Sequence, residues 1–178
     1  MKAPEGPPPS IIINTDGGAR GNPGPAAIGA VLRAPDGRVL AEVAEALGVA
    51  TNNVAEYTAV LRALERAAEL GVRRVDLRSD SKLLVEQLNG RWRIKKPTLQ
   101  VLNQKVRDAA RRFDDVRYSH VRREQNTDAD ALVNRALDAW VAEHGYPEPA
   151  GPVQASLLGD ARAEDASPHD GVWSDDEG

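Results

Sequence analysis

The stretch Ile11-Ile12-Ile13-Asn14-Thr15-Asp16-Gly17-Gly18-Ala19-Arg20-Gly21-Asn22-Pro23-Gly24-Pro25 decides how this chain is read. Its first residues are mostly β-branched, and such side chains suit the pleated, half-buried surface of a strand. The run ends at a carboxylate. Glycines at 17, 18, 21 and 24, with prolines at 23 and 25, predict a loop over Gly17–Pro25. A strand over Ile11–Thr15 thus delivers Asp16 to the edge of a glycine-rich loop.

Outward from it, Ala26–Arg33 and Arg38–Leu47 read as strands about Pro35-Asp36-Gly37, a hairpin signal. Val54–Leu70 places apolar residues at 54, 57, 61, 64 and 68, a helical period, and stops at Gly71. Arg74–Ser79 alternates Val75 and Leu77 with polar neighbours, as a strand does. Ser81–Asn89 predicts a short helix closed by Gly90, and Leu99–Phe113 a longer one. Val116–Val121 completes the strands and Asp128–Glu143 the helices. The order β-β-β-α-β-α-α-β-α predicts an α/β fold. Its five-stranded mixed sheet has three antiparallel meander strands and two crossover strands, flanked by helices.

Composition sets the boundaries. Prolines 4, 7, 8 and 9 predict a disordered lead-in over 1–9, and the folded domain is expected over 10–144. Residues 145–178 turn to Pro, Gly, Ala and acids, a tail too poor in apolar residues to fold alone. Residues 10–146 hold 21 Lys+Arg against 18 Asp+Glu, while 147–178 set only Arg162 against eight acids. A basic body suits a polyanionic substrate. The tail solubilises the chain, competes with that substrate, or binds a partner through Trp173. The absence of cysteine excludes disulfides and thiolate zinc sites. No apolar run approaches a membrane span, so a cytoplasmic monomer with no membrane partner is expected.

Asp16, Glu56, Asp80 and Asp130 each stand where a strand gives way to a loop or helix. Each has an ordinary explanation: a turn residue at Asp16, an N-cap at Asp80, a first-turn acid at Glu56, and a capping box over Thr127-Asp128-Ala129-Asp130. Together they fit another pattern. Asp16 and Asp80 end strands expected to be parallel neighbours, where α/β folds place ligands. Glu56 and Asp130, each in a first helical turn, can reach over the same edge. Converging carboxylates repel unless a hard cation holds them through oxygen.

Four blocks carry a resemblance: Thr15-Asp16-Gly17-Gly18 through Pro25, Thr51-Asn52-Asn53-Val54-Ala55-Glu56, Ser79-Asp80-Ser81-Lys82, and Arg123 through Asp130. In order and spacing they closely resemble type 1 ribonuclease H, in its compact bacterial and archaeal branch. The resemblance implies a ribonuclease H-like fold and an endonuclease that cuts the RNA strand of RNA–DNA hybrids, leaving 5′-phosphate and 3′-hydroxyl ends. It assigns two Mg²⁺ ions, with Mn²⁺ as a substitute, to Asp16, Glu56, Asp80 and Asp130. Asp128 competes with Asp130, and alignment on the following Ala-Leu-Val favours Asp130.

The same resemblance places Asn22, Asn52 and Asn53 in the hybrid's minor groove, where amides can both donate to and accept from 2′-hydroxyls. Gly17 is expected to let the backbone approach nucleic acid. Thr51 is either a phosphate contact or a helix cap. Lys82 stands where the family often has Gln, and could meet phosphate. The family's basic handle is missing. Arg91, Arg93, Lys95 and Lys96, with Trp92, remain as a basic segment suited to a DNA backbone, unless Trp92 belongs to the core. For product release, His120 aligns with the family's loop histidine only without a gap, so Arg123 or Arg122 is the expected substitute. The rival readings are a hybrid-binding module without catalysis, another nuclease or transposase on this scaffold, and a regulatory protein acting through its tail.

Overall fold

A parallel pairing between the first and fourth strands organises the molecule. The structure, a computed structural model, describes residues 8–147. Residues 1–7 of the expected lead-in and the tail from residue 148 onward lie outside the described residues.

In chain order the elements are β1 (Ser10–Ala19), β2 (Gly24–Arg33), β3 (Val39–Ala50), α1 (Asn52–Leu70), β4 (Arg74–Ser79), α2 (Lys82–Leu88), α3 (Pro97–Ala110), β5 (Asp115–His120) and α4 (Thr127–His144). A 3₁₀ turn over Arg123–Gln125 precedes α4. The sheet order is β3-β2-β1-β4-β5. Strands β1–β2 and β2–β3 are antiparallel, while β1–β4 and β4–β5 are parallel, the mixed sheet that the element order predicts.

The loop predicted over Gly17–Pro25 is largely strand. Gly17 pairs with Ile28 and Gly18 with Ala27, so β1 runs on to Ala19 and β2 begins at Gly24. The true turn is Arg20–Pro23, closed by a 2.8 Å hydrogen bond from the Arg20 amide to the Pro25 carbonyl. Glycine punctuates local sequence, but here it is selected by what packs on the sheet.

Helix α1 begins where Thr51 Oγ1 accepts from the Val54 amide at 3.2 Å and ends at Gly71, whose φ of 79° only glycine adopts readily. Its buried stripe is rich in alanine (Ala55, Ala59, Ala63, Ala67), which lets it lie close on the sheet. Ile11, Ile13, Leu32, Leu64, Leu77 and Val106 form the main core on that side. Opposite it, α4 buries Val133 and Leu137 against Ala27. No helix among the described residues is long and apolar enough to cross a membrane.

Candidate active site

The parallel ladder between β1 and β4 stops at Thr15 and Ser79. Asp16 and Asp80 are the next residues on each strand, so two carboxylates leave the same sheet edge side by side. Asp16 does not end its strand, as the sequence suggested; it still pairs with Gly29 of β2. What ends there is its parallel partner, and that gap opens the site. Asp80 is not a helix cap. Ser81 caps α2, its Oγ accepting from the Leu84 amide at 3.2 Å.

Two glycines admit the helices that carry the other acids. A Cβ on Gly17 would lie 2.5 Å from the Ala55 carbonyl oxygen and 2.6 Å from the Glu56 amide. One on Gly29 would lie 2.5 Å from the Ala129 carbonyl and 2.9 Å from Leu132 Cβ. Helix α1 therefore rests on β1 at Gly17, and α4 rests on β2 at Gly29. Gly17 makes room for this packing and also lines the cleft. Glu56 lies in the second turn of α1, not the first, because the helix starts at Asn52.

The start of α4 is pinned by a residue that sequence reading passed over. Asn126 is buried; its Nδ2 donates to the Thr15 carbonyl at 2.9 Å, and its Oδ1 accepts from Asn14 Nδ2 at 3.0 Å. The expected capping box does not form, since Thr127 is already helical and the cap position belongs to Asn126. Asp128 turns away to pair with Arg33. Asp130 lines the cleft and accepts from Asn134 Nδ2 at 3.3 Å. Asn126→Ala orphans buried partners on β1 and is expected to cost about 2 kcal/mol, or roughly 5 °C in Tm by thermal unfolding. An unchanged Tm would mean that Asn126 does not hold α4 to the sheet.

All four acids line one cleft of about 600 Å³. Burial first, then the charge of Asp80, a hydrogen bond with Asp130 and the charge of Glu56, push the Asp16 carboxyl up to about 8. Arg123 Nε brings a cation to the rim, 3.9 Å from Asp80 Oδ2, on a side chain 89% exposed. Among the described residues no ready-made group of three or more acidic or imidazole side chains could hold a metal ion. The donor chemistry nonetheless fits a hard divalent cation: oxygen only, surplus negative charge, and an open cleft where water and phosphate can complete the shell. Asp16, which feels all three other acids, is the centre of that donor set.

Asn22, Asn52 and Asn53 also line the cleft. Asn22 Oδ1 accepts from the Asn52 amide at 2.9 Å, and Asn52 Oδ1 accepts from the Ala19 amide at 2.8 Å, tying the β1–β2 turn to α1. Thr51 is the cap of α1 and does not line the cleft. Lys82, Trp92, Lys95 and Lys96 also lie off its walls. Trp92 is half-buried rather than in the core, with Lys82 Nζ 5.7 Å from its ring centroid. Arg91 is committed to Glu86 through two hydrogen bonds of 2.9 and 2.6 Å. His120 ends β5, exposed and in register with Ser79, and does not line the cleft; nor does Arg122, whereas Arg123 does. Arg20 and Asn134 are cleft residues that the motifs did not single out. Arg20 pairs with Asp138 at 2.7 Å and donates to Asn134 Oδ1 at 3.4 Å. Only the i+4 spacing from Asp130 hinted at Asn134.

Known proteins share this architecture. Residues 14–136 match the reverse transcriptase-like family model. A bifunctional protein of Mycobacterium tuberculosis is 47% identical over 130 residues, covering 72% of this chain; the chain spans 36% of that protein's length. The crystal structure of ribonuclease H1 from Halobacterium salinarum is similar with a TM-score of 0.72 and 45% identity, covering 73% of this chain and 98% of that one. LC11 ribonuclease H1, solved in complex with an RNA/DNA hybrid, is similar with a TM-score of 0.71 and 43% identity, covering 74% and 99%. Matched by the family model over most of its length and in fold by ribonucleases H more than 40% identical, the chain belongs to the reverse transcriptase-like family and, within it, to the ribonucleases H.

Proposed function

We propose that this protein is an endoribonuclease that hydrolyses the RNA strand of RNA–DNA hybrids, leaving 5′-phosphate and 3′-hydroxyl ends. The observation that carries this reading is one cleft lined by four carboxylates and by Asn22, Asn52 and Asn53. Two divalent ions, Mg²⁺ or Mn²⁺, would supply an activated water and stabilise the leaving 3′-oxygen. Asp16, central among the acids, is the residue assigned to both ions, Asp80 to the nucleophile side and Glu56 to the leaving-group side. Asp130, exposed at the cleft, would be the fourth and more mobile ligand. Asn22, Asn52 and Asn53 suit the 2′-hydroxyls that distinguish RNA from DNA. Arg123 is a permanent cation and cannot shuttle a proton, so its part in product release is electrostatic. A different nuclease or transposase would have no use for the asparagines. The 2′-hydroxyl requirement separates the two readings.

The test is cleavage of an end-labelled RNA–DNA hybrid in Mg²⁺ or in EDTA, comparing the wild type with Asp80→Asn. The expected result is metal-dependent cutting of the RNA strand alone, reduced at least about 10³-fold in the variant, equivalent to roughly 4 kcal/mol of transition-state stabilisation. Binding without cutting, in Mg²⁺ and Mn²⁺ alike, would instead identify a non-catalytic hybrid-binding module.

A further inference from the structure

A buried chain of polar side chains, away from the cleft, links three helices to the basic segment that joins α2 and α3. Arg107 Nε donates to Asn103 Oδ1 at 2.8 Å, and Asn103 Nδ2 donates to Tyr57 Oη at 3.4 Å. Tyr57 Oη donates to Gln87 Oε1 at 2.8 Å, and Gln87 Nε2 donates to the Arg93 carbonyl at 3.1 Å. Tyr57, Gln87 and Asn103 are 1%, 2% and 5% exposed. Burial pushes the Tyr57 hydroxyl up to about 12, which keeps it a donor.

Polar groups in a core add little net stability over apolar residues of the same shape, so the chain calls for another reason. Its open end supplies one. Gln87 reaches out of the core to hold the backbone of a segment that carries Arg93, Lys95 and Lys96 at exposed or half-buried positions. From the other side Gln100 Nε2 grips the neighbouring Ile94 carbonyl at 2.8 Å. Two glutamines thus clamp consecutive carbonyls of an irregular, strongly basic connection. A clamped segment loses less conformational freedom when it meets a polyanion, and affinity gains by that difference.

We propose that Gln87 is a positioning residue for substrate binding: through the buried Tyr57–Gln87 pair it presents the Arg93–Lys96 cations to the phosphate backbone of the nucleic acid. This rests on the reading of the protein as a hybrid-cleaving enzyme. Gln87→Met keeps the side-chain volume and removes the grip on Arg93. Tyr57→Phe/Gln87→Met also removes the orphaned hydroxyl, and so remains foldable if the single variant does not. Asn103→Leu cuts the chain at its far end and leaves the Gln87–Arg93 bond in place.

The measurements are anisotropy of a fluorescent RNA–DNA hybrid in EDTA over a salt series, with KM, kcat and Tm. Both Gln87 variants are expected to weaken binding about tenfold and raise KM similarly, with kcat within about twofold. The slope of log affinity against log salt should fall by about one for each phosphate that is no longer neutralised. Asn103→Leu should lower Tm and leave affinity unchanged. Gln87 variants that lose Tm but keep wild-type affinity, KM and salt slope would reduce Gln87 to a core residue and overturn the proposal. Failure of the wild type itself to bind the hybrid would overturn the functional reading as well, and is distinguished by appearing before any substitution.

Discussion

Asp16→Asn is expected to move activity and stability in opposite directions. Cleavage should fall at least about 10³-fold, because the variant removes the carboxylate at the centre of the donor set. The metal-free protein should become more stable near neutral pH. The Asp16 carboxyl sits at about 8 when folded, against an ordinary 3.8, because of burial and the neighbouring Asp80, Asp130 and Glu56. A carboxyl raised on folding binds more protons in the native state between those two values. Stability is therefore greatest at the acid end of that window and is lost as pH rises through it.

Each pKa unit corresponds to about 1.4 kcal/mol at most, so two pH units within the window are worth up to about 3 kcal/mol, or roughly 5–10 °C in Tm. In EDTA the wild-type Tm should decline from about pH 5 to about pH 8, while the Asn variant stays flatter and exceeds it near neutrality. Millimolar Mg²⁺ should restore the wild type and leave the variant unmoved. A wild-type curve in EDTA no steeper than that of Asp16→Asn would show that the acids are not in mutual conflict, and the electrostatic case for a cation would fall with it.

Gly17→Ala should disable the enzyme with every acid intact. The added methyl would crowd the Ala55 carbonyl at 2.5 Å and the Glu56 amide at 2.6 Å, and both are helix backbone. No rotamer relieves such a clash, so α1 must lift by roughly 1 Å to reach ordinary van der Waals distance. Overpacking of this kind costs about 3 kcal/mol. A displacement of that size at Glu56 is worth about 10²-fold in rate. The internal control is Gly18→Ala, whose methyl would meet only Val133 Cγ1 at 3.9 Å, an ordinary separation. Equal Tm and kcat for the two variants would show that α1 does not depend on Gly17.

The two glycines also illustrate how the sequence misleads. Gly17 and Gly18 read as loop because glycine breaks local structure, yet both lie in β1, paired with Ile28 and Ala27. Their reason is non-local: the partner that forbids a side chain at Gly17 is a helix backbone nearly forty residues away. The sequence places Glu56 a turn too early for a related reason. Its helix signal begins at the first apolar residue, Val54, whereas the chain turns helical at Asn52 under the Thr51 cap.

By itself the sequence determined the element order and the mixed sheet it implies, because strand and helix periodicity and glycine or proline punctuation are local properties written residue by residue. It also singled out four acids that the fold brings to one cleft. Tertiary structure alone decided which residues arrange the cleft and the basic segment: Asn126 on Thr15 and Asn14, Gly29 beneath α4 and Arg33 drawing Asp128 off the cleft for the one, and Gln87 reaching Arg93 from the core for the other. A buried amide or a missing methyl has no period. Its meaning comes from the one partner that folding brings against it, and for Asn126 that partner lies more than a hundred positions away in the chain.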